Sequence, residues 1–156
     1  MSDPLAQPVV DPFSEARRLA REDGDFSMLV ATVPYAKYLG VQLSLHEGKP
    51  RATLPFRENL VGNPRLPALH GGITAAFMEN AAMLHLLYQM DTARVPKSID
   101  FSIDYLLPAR TEELYADCEI GRMGSRVAQA TIRCWQKSQE RPVAVARAHF
   151  LLMTPD

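Results

Sequence analysis

One long apolar segment, from Leu66 to Asp91, constrains the fold of this chain more than any other part of the sequence. A loop that ends in His70-Gly71-Gly72 leads into about 18–20 residues that are apolar on almost every side of a helical wheel. Only a narrow arc, formed by Thr74, His85 and Gln89, is polar. Because a helix that is apolar nearly all round is buried, this segment predicts one long helix at the centre of the molecule.

A single carboxylate, Glu79, projects from the apolar part of this predicted helix. The residues three and four positions away are alanine or methionine, so no lysine or arginine of the helix can neutralise it. One interpretation is a structural acid that is bonded to a backbone amide or to an arginine elsewhere. The other is functional: the amides of Gly71 and Gly72 polarise a carbonyl at the positive end of the helix, and Glu79 supplies the carboxylate that acyl transfer needs.

Composition limits the class of protein. The 156 residues are 47% hydrophobic and 22% charged, as expected for one soluble globular domain. The formal net charge of −1 does not favour nucleic-acid binding. Cys118 and Cys134 lie in strand-like runs without ligand spacing, and the four histidines have no mutual metal spacing, so we expect reduced core cysteines and neither metal nor cofactor.

The beginning of the chain has no signal-peptide pattern. Its prolines predict a flexible arm over residues 1–11, followed by a single domain over residues 12–156. The apolar run that comes nearest to a membrane span is better explained as the central helix. We therefore expect a soluble cytoplasmic protein that does not associate with membranes.

Local patterns predict the remaining elements. A helix begins at Pro12 and ends near Gly24, with its arginines on the solvated surface, and a short helical turn follows that Pro34 stops. Period-two alternation then predicts six strands, at Tyr38–His46, Arg51–Phe56, Ser98–Leu107, Glu113–Arg122, Val127–Lys137 and Pro142–Met153. Their short connections predict an antiparallel sheet that curves around the central helix, which is an α+β fold. The apolar surface that is left over implies a second subunit.

The sequence resembles the hotdog-fold thioesterases of the PaaI-like, phenylacetate-pathway group. The resemblance covers roughly Tyr35–Met153. It rests on Asn63, on Leu69-His70-Gly71-Gly72 with an acid nine residues after the histidine, on Ser98-Ile99-Asp100-Phe101 and Leu107-Pro108-Ala109, and on Gly121-Arg122. It implies a hotdog fold, to which the predicted N-terminal helix is an addition, together with hydrolysis of acyl-CoA thioesters and a homodimer or homotetramer with sites at the subunit interface.

The resemblance also implies roles for single residues. Glu79 occupies the position of the family's acid, either as a nucleophile or as a general base on water. The amide of Gly71 polarises the thioester carbonyl, with Gly72 beside it, and Asn63 holds the water or the carbonyl. Ser98 falls where some relatives keep a polar residue near the attacking water, although a plain serine at the start of a strand is an equal alternative.

His70 and four cations are further candidates. His70 could transfer protons at neutral pH, but we favour a role in fixing the loop through hydrogen bonds, which the resemblance implies. Lys97, Arg110, Arg122 and Arg126 lie at predicted strand ends or turns where they could bind the phosphates of coenzyme A. A solvated rim is an equal alternative for each of them.

The chemistry of a thioester suits this small set of groups. The carbonyl is electrophilic and the thiolate leaves readily, so one oxyanion-stabilising amide and one carboxylate in a dry pocket are enough. The absence of a GxSxG elbow argues against an α/β-hydrolase. The hypothesis is therefore an acyl-CoA thioesterase, and the alternative is a hotdog protein that binds or senses acyl-CoA without hydrolysing it. The acyl group is left open, because Met78, Met83 and Met90 could line either an aliphatic or an aromatic pocket.

Overall fold

The computed structural model describes residues 11–154. All but the last residue of the predicted arm lie outside this range. The chain forms helices α1 (Ser14–Glu22), α2 (Ser27–Ala31), α3 (Pro34–Leu39) and α4 (Gly71–Gln89), a 3-10 turn at Glu58–Leu60, and strands β1 (Gln42–His46), β2 (Lys49–Leu54), β3 (Val61–Asn63), β4 (Ala68–Leu69), β5 (Val95–Tyr105), β6 (Leu114–Met123), β7 (Val127–Trp135) and β8 (Ala144–Met153).

Six of the strands form one antiparallel sheet in the order β1-β2-β6-β7-β8-β5. Helix α4 packs against one face of this sheet, where it contacts β2, β5, β6, β7 and β8. Strands β3 and β4 form a separate hairpin that leads directly into α4. The predicted α+β hotdog architecture, with one long central helix and extra N-terminal helices, is confirmed.

Residue size explains how closely the helix and the sheet approach. Alanine is the commonest buried residue on the sheet face that is turned towards α4, and large side chains of α4 pack against it. The buried alanines are Ala52, Ala116, Ala128, Ala130, Ala144, Ala146 and Ala148, and the fully buried large residues of α4 are Phe77, Met78, Leu84, Leu86 and Leu87. Because small residues on the sheet leave room for the large side chains of α4, the helix can lie close to the sheet.

The hairpin prediction was wrong at its start. The predicted short helix before Pro34 is present as α2, but Pro34 also begins a further helix, α3, which ends at Leu39 before Gly40 with φ 79°. Proline is favoured in the first turn of a helix, and a left-handed glycine is favoured just after its end. The alternation at residues 38–41 therefore reflects buried positions on a helix and its cap, and strand β1 begins only at Gln42.

The predicted strict alternation of the fifth strand is interrupted by a bulge. The register of β5 against β8 shifts between Ser98 and Asp100, so Ile99 has no partner in the ladder and is 55% exposed. Phe101 and Ile103 pair with buried alanines of β8, and Asp100 pairs with His149, where the two side chains lie 3.0 Å apart.

The arginines of the first helix were predicted to be solvated, and for Arg17 this was wrong. Its side chain is 3% exposed, forms an ion pair with Asp11, and donates to the carbonyl oxygens of Leu87 at 3.3 Å and Thr92 at 3.1 Å. Arg21 donates to the carbonyl oxygen of Tyr88 at 3.1 Å. Helix α1 therefore supplies donors to the carbonyl groups at the end of α4, which have no partner within the helix.

Within residues 11–154, no helix is long and apolar enough to cross a membrane. In the same range, no group of three or more His, Cys, Asp or Glu side chains is arranged to hold a metal ion. Cys118 and Cys134 are free and buried, as predicted. Burial raises the pKa of both thiols, that of Cys134 to about 12, which makes them poor nucleophiles.

Candidate active site

His70 is the N-cap of α4. Its Nδ1 accepts a hydrogen bond from the amide of Gly72 at 2.9 Å, and its own amide donates to the carbonyl oxygen of Leu60 at 2.9 Å. An Nδ1 that accepts from an amide carries no proton, so the ring holds the loop in place. His70 thus forms two hydrogen bonds that connect the start of α4 to the preceding loop.

The amide of Gly71 is available at the positive end of α4. Among residues 11–154 it has no hydrogen-bond acceptor, whereas the Gly71 carbonyl oxygen accepts from Tyr105 Oη at 2.7 Å. A cavity of about 270 Å³ opens beside it and is lined by residues that include Gly71, Thr74 and Tyr105. A free amide at a helix N-terminus, facing a cavity, can stabilise negative charge on a carbonyl oxygen.

Glu79 lies on the half-exposed side of α4. A strip of the helix, which we call the Glu79 strip, is formed by Gly72, Ala75, Ala76, Glu79 and Met83, and none of these five residues is buried. No side chain or amide among residues 11–154 hydrogen-bonds to the Glu79 carboxylate or forms an ion pair with it. By contrast, Thr74 and His85, which belong to the polar arc of the sequence, are 3% and 7% exposed.

The two central groups do not meet within one copy of the chain. Gly71 and Glu79 are eight residues apart on one helix, which is about 12 Å along its axis at 1.5 Å per residue. A glutamate side chain leans towards the N-terminus but spans only part of that distance. One reacting carbonyl therefore cannot contact both the Gly71 amide and the Glu79 carboxylate of the same α4.

Asn63 and Ser98 have defined positions. Asn63 is the last residue of β3, is exposed, and accepts a hydrogen bond from the amide of Arg65 at 3.0 Å through Oδ1. Its side-chain amide donors have no acceptor among residues 11–154. Ser98 lies on β5 opposite the buried Phe150, next to the bulge, and is half-buried.

The four predicted cations fall at two ends of the sheet. Arg110 forms an isolated bridge with Ala68, close to the beginning of α4. Arg122 and Arg126 instead line a cavity of about 340 Å³ with His149, and Lys97 pairs with Leu151 near that end. Arg110 lies near the first residues of β8, and the other three cations lie near its last residues. These two ends of the strand are roughly 26 Å apart at 3.3 Å per residue. Within one copy, the four cations do not form one site.

Two residues that the sequence analysis did not identify support the site. A Cβ atom on Gly62 would lie 2.7 Å from the Cα atom of His70, so only glycine allows the β3 backbone to approach the cap. Tyr105 holds the first turn of α4 through its hydroxyl group. The sequence signals for both are weak: one glycine in a glycine- and proline-rich loop, and one aromatic residue in an alternating strand.

Comparisons with known proteins agree with this architecture. The family model described as "Thioesterase superfamily" matches residues 66–143. The medium/long-chain acyl-CoA thioesterase YigI of Escherichia coli K12 is 32% identical over 127 residues, which cover 72% of this chain and 81% of that protein.

Two solved structures extend the comparison. A protein from Chromobacterium violaceum is 40% identical, with a TM-score of 0.69, and the match covers 91% of this chain and 99% of that one. A phenylacetic acid degradation-related protein from Ralstonia eutropha shares the fold at 16% identity and a TM-score of 0.68, over 88% and 98% of the two chains. The residues that the family model matches include His70, Gly71 and Glu79. This chain therefore belongs to the thioesterase superfamily.

Proposed function

We propose that this protein hydrolyses acyl-CoA thioesters with medium or long acyl chains. The observation that carries the proposal is the pair of unsatisfied groups on α4: the Gly71 amide at its positive end and the half-exposed Glu79 carboxylate. A thioester needs one donor at its carbonyl oxygen and one base or nucleophile, and these are such groups. The chain-length class is supported by the similarity to YigI of Escherichia coli, whose name specifies it.

The active site is formed by two copies of the chain. Two antiparallel α4 helices, related by a two-fold axis level with Ala75, bring Gly71 of each copy level with Glu79 of the other. The Glu79 strip favours this contact because glycine and alanine let two helix axes approach to about 8–10 Å. A substrate carbonyl between the helices would reach the amide of one copy and the carboxylate of the other.

Exposed apolar groups along the free edge of β5 support the same pairing. This strand is 11 residues long, and Ile99 and Tyr105 on it are 55% and 54% exposed. Such an edge is a site for further strand pairing unless something covers it. A second β5 running antiparallel would satisfy the backbone groups of the edge and set α4 beside its copy, which gives a homodimer. A homotetramer would then be a dimer of such dimers.

The reaction follows from these positions. The Gly71 N–H hydrogen-bonds to the carbonyl oxygen of the thioester and stabilises the negative charge that develops there. Glu79 of the other copy removes a proton from water, whose oxygen attacks the carbonyl carbon. The tetrahedral intermediate collapses, the C–S bond breaks, and the proton returns from Glu79 to the thiolate. In the nucleophilic variant, the Glu79 oxygen attacks, the thiolate leaves, and water hydrolyses the resulting anhydride.

The other candidates have auxiliary roles in this proposal. The side-chain amide of Asn63 orients the water or the carbonyl, and Ser98 hydrogen-bonds near the attacking water. Arg110 binds phosphate at the Gly71 end of its own copy. Lys97, Arg122 and Arg126 lie at the opposite end, which an antiparallel β5 pairing would bring towards the Gly71 end of the second copy.

Thiol release from a panel of acyl-CoA thioesters tests the proposal, with wild type and Glu79→Gln measured side by side. We expect the highest turnover with medium and long chains and a loss of at least about a hundredfold in the variant. Glu119→Gln, on an exposed position of β6, is the matched control and should retain activity. Normal turnover by Glu79→Gln would refute the assignment of the acid. Intact acyl-CoA after long incubation with wild type would favour binding without hydrolysis.

The shared site has its own test. Glu79→Gln and Gly71→Pro are each expected to be inactive, but a mixed dimer contains one site with both groups intact. Random mixing of equal amounts should restore about a quarter of the wild-type activity. If each chain carries a complete site, mixing restores nothing.

A further inference from the structure

The residue that follows Glu79 is a buried amide with one unused oxygen. Asn80 is 5% exposed, and its side chain donates to the carbonyl oxygen of Ala76 at 2.8 Å. Because a carbonyl oxygen only accepts, the atom beside it is Nδ2 and the other atom of the amide is Oδ1. No group among residues 11–154 donates to this Oδ1. An acceptor in a buried side chain is costly without a donor, so a water or a ligand has to supply one.

The Oδ1 atom of Asn80 is open towards the Glu79 strip. Within residues 11–154, His85 Nδ1 is the only fully buried side-chain nitrogen or oxygen without a partner, so Asn80 Oδ1 keeps some contact with solvent. On the helix surface, Asn80 borders buried residues on one side and the strip on the other. The buried neighbours, each at most 1% exposed, are Phe77, Ala81 and Leu84, and the neighbours that are not buried are Ala76, Glu79 and Met83. The solvent contact of this oxygen is therefore on the side of the strip.

The side chains of Glu79 and Asn80 lean over the same small residue. Side chains of a helix point towards its N-terminus and cover the preceding turn. Ala76 lies three residues before Glu79 and four before Asn80, so a carboxylate and an amide oxygen border the space above its methyl group. The bond from Asn80 Nδ2 to the Ala76 carbonyl oxygen holds the amide in this direction. A water molecule above Ala76 could therefore contact both oxygens.

Hydrolysis needs an acceptor at this position. The attacking water carries two protons, and a general base such as Glu79 takes only one of them. The Gly71 amide and the free N–H groups of Asn63 are donors, so they suit the carbonyl oxygen or a lone pair of the water. When both protons of the water are held by acceptors, one of its lone pairs can point at the carbonyl carbon.

We propose that Asn80 is a catalytic residue whose Oδ1 accepts a hydrogen bond from the attacking water while Glu79 removes the other proton. This inference rests on the proposed function and adds a residue to it. The water oxygen forms a bond to the carbonyl carbon, and the proton that Asn80 holds stays on that oxygen as the hydroxyl of the acid. The C–S bond then breaks, and the proton on Glu79 passes to the thiolate. Asn80 itself neither gains nor loses a proton.

Methanol tests this role because it has a single O–H proton. When methanol attacks the carbonyl carbon, that proton goes to Glu79, so formation of the methyl ester does not need Asn80. The enzyme and an acyl-CoA are incubated in water with a fixed fraction of methanol, and the free acid and the methyl ester are both measured. Asn80→Leu replaces the amide by an apolar group of similar size. We expect it to lower acid formation about tenfold with little change in ester formation, so the ratio of ester to acid should rise about tenfold.

The product ratio separates a catalytic role from a structural one. Both products come from the same folded molecules, so partial unfolding of Asn80→Leu would lower both and leave their ratio unchanged. Asn80→Asp keeps an acceptor in the same place, and its ratio should lie within about threefold of wild type. Asn59→Leu, on an exposed position of the 3-10 turn before α4, is the matched control and should behave as wild type.

Hydrolysis in water alone gives a second measurement. The kcat of Asn80→Leu should fall about tenfold with little change in KM, because the hydrogen bond acts on the water and not on the bound thioester. Asn80→Asp should recover most of this loss.

The outcomes distinguish this inference from the proposed hydrolysis. An active wild type together with an unchanged product ratio in Asn80→Leu would overturn the inference and leave the hydrolysis in place. An equal rise of the ratio in Asn59→Leu would overturn it as well. If wild type forms no methyl ester, the kcat in water decides, and a value for Asn80→Leu within about threefold of wild type would overturn the inference. If wild type releases no thiol from any acyl-CoA, the proposed function fails and the role of Asn80 fails with it.

Discussion

The free amide of Gly71 can be removed without disturbing the helix it begins. Gly71 is the first residue of α4, and proline is well tolerated at this position because its missing N–H has no acceptor within the helix. His70 has φ −63° and ψ 130°, the extended conformation that a residue before proline requires. A Cβ atom on Gly71 would lie 3.4 Å from the Tyr105 ring, which is an ordinary contact. Gly71→Pro should therefore fold, with a stability change within about 1 kcal/mol.

The matched variant is Gly71→Ala, which adds a similar Cβ atom and keeps the N–H. If the amide stabilises the oxyanion, the proline variant should lose about 10²–10³-fold in kcat relative to the alanine variant, or about 2.7–4 kcal/mol of transition-state stabilisation. KM should change little, because the hydrogen bond strengthens as charge develops on the oxygen.

Steady-state thiol release gives kcat and KM, and urea unfolding of the same samples shows whether both variants are folded. A folded Gly71→Pro protein with kcat within about threefold of Gly71→Ala would refute the assignment of this amide. A loss of a hundredfold in Gly71→Ala itself would show that space at Gly71, and not its N–H, limits the reaction.

Three further predictions concern the surroundings of the site. Gly62→Ala should cost about 1–3 kcal/mol of stability and lower kcat, because its Cβ atom would displace His70, whereas Gly121→Ala, with open space around it, should be neutral in both assays. Arg17→Ala should lower the free energy of unfolding in urea by about 2–4 kcal/mol, because it leaves Asp11 and two carbonyl groups without their buried donor. Arg18→Ala, on the exposed side of the same helix, should lower it by less than about 1 kcal/mol. Burial lowers the pKa of His85, so below about pH 6.5 the unfolded chain binds a proton more readily than the folded chain does. The free energy of unfolding should therefore fall as the pH decreases in this range, by at most about 1.4 kcal/mol per pH unit. A His85→Gln variant whose free energy of unfolding keeps the same dependence on pH would contradict this prediction.

The sequence was informative wherever a pattern is local. The length and burial of α4, the antiparallel strands after it and the N-terminal helix follow from periodicity and from capping residues, and all were predicted. The two errors have different causes. Pro34 can end one helix or begin another, and the local capping residues Pro34 and Gly40 favour a further helix. Ile99 fits an alternating pattern, but its strand contains a bulge that depends on pairing with β8, which is distant in the chain.

Candidate chemistry was harder to predict than the fold. The motif identified His70, Gly71 and Glu79, but not the hydrogen bond that occupies the His70 ring or the free amide next to it. The methionine-rich pocket lining was expected from residues of α4, yet Met78 is fully buried and Met90 is 4% exposed, both in the core of this copy. Only Met83 among them lies on the Glu79 strip.

By itself, the sequence determined a central helix with one acid, the strand order along the chain and membership of a thioesterase-like class, because these depend on periodicity and on short motifs. Tertiary structure decided which groups are free to act. Arg17 donates hydrogen bonds at the end of α4, whereas the Gly71 amide has no acceptor among residues 11–154. Lys137 and Arg141 lie beside Arg110 in one groove. The physical reason is that a helical rise and a strand register are encoded in neighbouring residues, whereas the distance between two functional groups depends on how separate elements pack.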